Sequence, residues 1–160
     1  MDAISEVVGL ALKQTGNSTV SNGGDRSTMG LREKRLIHRL HAEVLPKYEA
    51  AWHQKTGGAS IELQVDWDSF SGCNEEALER IERFGLNKIS AAIVSICADD
   101  FGRHAIRDGL KAVCIKQVND SSHVSASMDD YMLKICLNVA DFYKGYLSEF
   151  QIQEVLENGL

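Results

Sequence analysis

The stretch from Ile61 to Asp68 alternates apolar and polar residues without a break. Successive side chains of an extended chain point to opposite faces, so this pattern predicts a half-buried β-strand. Ile61, Leu63, Val65 and Trp67 are expected against a core, with Glu62, Gln64, Asp66 and Asp68 toward water or a ligand. Lys111 to Val118 reads as a second strand, with Val113 and Ile115 inward. A third runs from Tyr131 to Val139, where Tyr131, Leu133, Ile135, Leu137 and Val139 alternate with Met132, Lys134, Cys136 and Asn138. Between these two, Asn119 to Asp129 is too polar for a core element and reads as a long, loose hairpin connection.

The remaining pattern is helical. From Leu31 to about Lys55, apolar residues recur every fourth position at Leu36, Leu40, Val44, Tyr48 and Trp52, which predicts one face of a helix. Pro46 interrupts it by removing a backbone donor, so a kink or short break is expected there, with Gly57 and Gly58 ending the element. Asn74 is placed to cap a helix that Gly85 would stop. Asn87 to about Ala98 presents Ile89, Ala92, Ile93 and Ile96 on one face and is the candidate central buried helix. Asp99 or Asp100 would cap a further helix ending at Gly109, and Ser148 with Gln151 forms a capping-box pair before Ile152, Val155 and Leu156.

The expected fold is therefore α+β: about three strands in a small, mainly antiparallel sheet, packed on one face by four to five helices. Residues 29–160 form its single domain. Residues 2–14 read as a short amphipathic helix carrying Ile4, Val7, Val8, Ala11 and Leu12, joined by a connector over 15–28 rich in Gly, Ser, Asn and Thr.

Charge narrows the partner class. The net charge is −6, but residues 31–56 carry +3 and residues 119–160 carry −5. A general nucleic-acid binder needs a basic surface to displace counterions, so nucleic acid is not the expected partner. An acidic end suits a basic protein partner, where complementary charge raises the association rate. No apolar run approaches the length of a membrane span, and the start lacks the basic leader of a signal peptide, so a cytoplasmic location away from membranes is expected. Cys73, Cys97, Cys114 and Cys136 show no CxxC or CxxH spacing, which leaves free thiols as the expectation.

Three groupings carry potential chemistry. His38 and His41 share a helical face but need a third ligand, from His53, His104 or His123, and Arg35 and Arg39 oppose a cation; no metal site is expected. Asp99, Asp100, Arg103, His104, Arg107 and Asp108 form the densest ionisable cluster, in which His104 could serve as a general base and Cys97 as a nucleophile. Asp99 and Asp100 are equally well explained as helix caps. The third grouping is the polar side of the sheet, where Glu62, Gln64, Asp66, Cys114, Lys116, Lys134, Cys136 and Asn138 would project together. Ion pairs of Glu62 or Asp66 with Lys116 or Lys134 would be routine there.

An EF-hand alignment on Gly145 places Ala140, Phe142, Lys144 and Gln151 where calcium needs oxygen and a bidentate acid, which excludes it. No GxGxxG, GxxxxGK[ST], GxSxG or HExxH occurs, and no cofactor is expected. The leading expectation is a non-catalytic protein-interaction module (adaptor, chaperone or inhibitor) using Glu62, Gln64, Asp66, Lys116, Lys134, Val7 and Val8. The alternative is a small hydrolase or transferase built on His104, Asp100 and Arg103. A homodimer through the N-terminal helix is a subsidiary expectation.

Overall fold

A computed structural model describes residues 29–160. The predicted helix at 2–14, with Val7 and Val8, lies outside them. The first long helix runs as α1 (Leu31–Arg39), a π turn (Leu40–Val44) and α2 (Leu45–Lys55). Pro46 sits in the first turn of α2, where a missing donor is tolerated. The turn before it widens so that the Leu45 amide donates to the Leu40 carbonyl, which is how the expected interruption is absorbed.

Strand β1 (Glu62–Val65) follows, shorter than the alternating pattern suggested. The Asp66 side chain accepts from the Ser69 amide and turns the chain into a 3-10 segment, Trp67–Phe70. Trp67 therefore leaves the strand and packs beside Phe70, ring centroids 6.1 Å apart. Helix α3 (Glu75–Arg80) starts at Asn74, whose side chain accepts from the Ala77 amide at 2.8 Å.

Gly85 does not stop this helix. It lies inside a second π turn, Ile81–Leu86, that leads directly into α4 (Asn87–Ile96). Gly85 is buried, and a β-carbon there would sit 3.0 Å from Leu137, so glycine at this point serves close packing on the sheet. Asp99 then caps α5 (Asp100–Gly109), accepting from the Gly102 amide at 2.7 Å. The chain continues through β2 (Ala112–Gln117), β3 (Ser125–Asp129), β4 (Met132–Leu137) and α6 (Glu149–Gly159). The capping box of Ser148 and Gln151 is present at the start of α6.

The described residues are mixed α+β: four continuous helices and an open four-stranded sheet in the order β1-β2-β4-β3. Two features correct the expectation. The sheet has four strands, because Ser125–Asp129 lies within the segment read as a polar connection. It is also not mainly antiparallel: β1 with β2 and β2 with β4 run parallel, and β3 with β4 alone runs antiparallel. Helices α3, α4 and α5 intervene between β1 and β2, the kind of long crossover that parallel pairing requires.

Helices cover one face of the sheet. Leu63, Val113, Ile115, Leu133, Ile135 and Leu137 are buried in a single core with Trp52, Ile89, Ile93, Ile152 and Leu156. Helix α2 packs against β1 and α4, while α6 packs against α4 and β3. The basic first helix and the acidic last one thus share α4 and differ in the edge strand they cover. No described helix is long and apolar enough to cross a membrane.

Candidate functional site

Strand register sets the opposite face. Glu62, Ala112, Met132 and Asp129 form one row across the sheet, and Gln64, Cys114, Lys134 and Ser127 the next. Lys116, Cys136 and Ser125 form a third, with Asp66 extending it past the end of β1. No described element covers these rows. Their centre holds half-buried Met132 and Cys136 on β4 and Cys114 between their rows on β2, and Glu62, Asp66, Lys116, Ser125 and Asp129 are exposed around it.

The register answers two open questions. Cys114 stands opposite Lys134 and Cys136 opposite Lys116, so the two free thiols are diagonal neighbours. Burial pushes the Cys114 thiol up, and the Asp66 carboxylate and Cys136 push the same way against Lys134 and Lys116. The expected ion pairs to β1 are absent. Lys134 instead holds Asp129 at 2.9 Å, because β4 lies next to β3 and a full strand away from β1. Glu62, Gln64 and Lys116 have no side-chain hydrogen bond among the described residues.

Asn138 leaves the open face. It is buried, accepts from the Gln117 side chain at 3.1 Å and donates to Ser121 at 3.0 Å. Ser121 donates in turn to Asp141, which also accepts from the amides of Tyr143 and Lys144. These donors hold the Asp141 carboxyl below the usual carboxylate range, the Ser121 hydroxyl first among them. The network ties the β2–β3 and β4–α6 loops together at one end of the sheet.

Beside it stands an aromatic group that the sequence reading did not assemble. Phe84 meets Phe142 edge-on at 5.8 Å and Tyr146 at 4.9 Å, and the Arg80 guanidinium lies 5.2 Å from the Phe142 ring centre. Hollows of about 440 Å³ and about 500 Å³ flank Phe142, the first reaching Arg39 and Arg83 and the second Asn119 and Tyr143. Near the first hollow, burial and the Glu82 carboxylate push the Tyr48 phenol up to about 12.

Of the ionisable cluster, Asp99, Asp100, Arg103 and His104 lie on the first turns of α5 and make local contacts, while Arg107 and Asp108 lie at its end. Asp100 pairs with Arg103, which also donates to the Cys97 carbonyl at 3.1 Å. Nδ1 of exposed His104 lies 2.7 Å from the backbone carbonyl of Asp100 rather than from a carboxylate. Cys97 is buried and its thiol is pushed up, with Arg103 pulling partly back. On the first helix His38 is exposed, and Nδ1 of His41 is buried without a hydrogen-bond partner. Among the described residues no three His, Cys, Asp or Glu side chains converge as a metal site. No family model, curated protein or solved structure matches this chain.

Proposed function

We propose that the chain is a non-catalytic, cytoplasmic protein-interaction module whose contact surface is the uncovered face of the sheet. The observation that carries this reading is the arrangement of that face. A centre of Ala112, Cys114, Met132 and Cys136 is bordered by Glu62, Gln64, Asp66, Lys116 and Asp129. Protein interfaces share this plan, with a weakly polar middle that loses water and a charged or hydrogen-bonding rim. Lys134 sits within the centre, but its pairing with Asp129 offsets part of its charge.

The reading on His104, Asp100 and Arg103 as a hydrolase or transferase centre has less behind it. General base catalysis needs an imidazole nitrogen free for the substrate and a group that orients the ring. Here the orienting contact is a helix carbonyl, and the neighbouring carboxylate is engaged by Arg103.

Reversing a charge on the rim of the face tests the module. Lys116→Glu is expected to cut recovery of a captured protein partner by about tenfold, since a like-charge contact across an interface costs several kcal/mol and a tenfold loss needs only about 1.4 kcal/mol. Lys47→Glu, exposed on α2, should leave recovery unchanged. Equal recovery by both variants, each with the wild-type circular dichroism, would remove the face from the account.

A further inference from the structure

The face alone is small. Four strands about 4.8 Å apart and six residues of about 3.3 Å give roughly 400 Å² in projection, against about 800 Å² per partner in a standard interface. A stable complex would have to run past a sheet edge, and the two edges differ.

At β1 the outward Leu63 amide is taken by the Glu49 carboxylate at 2.8 Å, which closes that edge to a further strand. At the other edge the directions follow from the register. The Tyr131 and Leu137 carbonyls accept from β2, so odd-numbered residues of β4 turn their backbone groups toward β2 and even-numbered ones toward β3. Asp129 with Met132, Ser127 with Lys134 and Ser125 with Cys136 are then the bonded pairs. The N–H and C=O groups of Ala126 and Met128 therefore point away from the sheet, and no described residue takes them. The strand has no proline, and its one charge, Asp129, is engaged by Lys134. These are the devices that normally protect an edge, and they are missing here.

We propose that the outer edge of β3 is a strand-addition site for an extended basic segment of a protein partner. Backbone pairing would come from Ala126 and Met128. Alternate side chains of the incoming strand would meet α6, which packs beneath β3 with Gly159 directly against Met128, and there apolar residues fit. The other side chains would extend the open face beside Ser125, Ser127 and Asp129. Charge favours lysine and arginine in such a segment: Asp120 and Asp130 flank the strand, and α6 adds exposed Glu154 and Glu157 with no basic residue of its own. The site rests on the reading of the open face as a contact surface and adjoins it, but its pairing groups are the outward backbone of Ala126 and Met128, so either can fail alone.

The test uses the full chain and two labelled peptides, one alternating lysine with valine and one alternating glutamate with valine, read by fluorescence anisotropy and amide exchange. The lysine peptide should bind and slow exchange at Ala126 and Met128, and the glutamate peptide should not bind. Ala126→Pro removes an outward donor while leaving the β4 ladder intact, and should weaken binding by about tenfold. Lys47→Glu, exposed on α2 at the far side of the sheet from β3, should change it by less than about twofold. Equal binding of the two peptides would overturn the proposal. So would binding that leaves both amides exchanging freely, or amides already protected in the free chain by its own residues 1–28 or by a second copy.

Discussion

Trp52→Ala is expected to lower the unfolding free energy by about 3–5 kcal/mol, the cost of emptying a fully enclosed aromatic site. Trp52 has no exposed surface, and it stands where α2 meets α4. Its indole N–H donates to Ser90 at 3.2 Å, so truncation also removes a cross-helix hydrogen bond. Tyr48 meets its ring at 6.2 Å in an edge-on arrangement and loses that contact. Urea titration followed by far-ultraviolet circular dichroism measures the change as a lower midpoint at an unchanged slope. A loss below about 1 kcal/mol would mean that the first helix is not clamped to the core through this residue.

Gly145→Ala is expected to cost about 3 kcal/mol or more, although only a methyl group is added. The new β-carbon would overlap the carbonyl oxygens of Asn138 and Asp141, which are backbone atoms and cannot rotate away. Those two carbonyls are committed: the Asp141 carbonyl accepts from the Gly145 amide, and the Asn138 carbonyl accepts from the Asp141 amide. Relief therefore requires the β4–α6 loop to move, which pulls Asn138 from Gln117 and Ser121 from Asp141. Thermal unfolding measures the loss. A variant with wild-type stability would show that this loop is not held by the Gln117–Asn138–Ser121–Asp141 network.

The elements with strong local signals were legible in the sequence. The capping contacts of Asn74, Asp99 and Ser148 are each made within three residues, so spacing alone locates them. Strand direction was not legible, because the partner of β2 depends on a crossover through α3, α4 and α5 and on β3 folding back behind β4. Strand β3 did carry a signal, the alternation of Val124, Ala126 and Met128 with Ser125, Ser127 and Asp129. Small and hydroxyl side chains dilute that pattern. The hairpin turn hides it further, since Asp130 and Tyr131 both adopt positive φ, 50° and 62°, without the glycine that usually marks such a turn.

The candidate surface was legible in composition and not in arrangement. Every residue expected on the polar face from Glu62 to Cys136 reaches it, because side-chain parity follows from the strand itself. Pairing within the face depends on strand order, which is why Lys134 meets Asp129. Asn138 departs because β4 ends at Leu137 and parity no longer governs the next residue.

Thiol labelling of the native full chain with iodoacetamide tests the uncovered face most directly. Cys114 and Cys136 are half-buried on that face, whereas Cys73 and Cys97 are buried in the core at 9% and 6% exposure. The account predicts that Cys114 and Cys136 are modified first and are protected once a partner is bound, while Cys73 and Cys97 react only after unfolding. Modification of Cys73 or Cys97 ahead of the other pair, or unchanged labelling of Cys114 and Cys136 in a partner-bound sample, would contradict it.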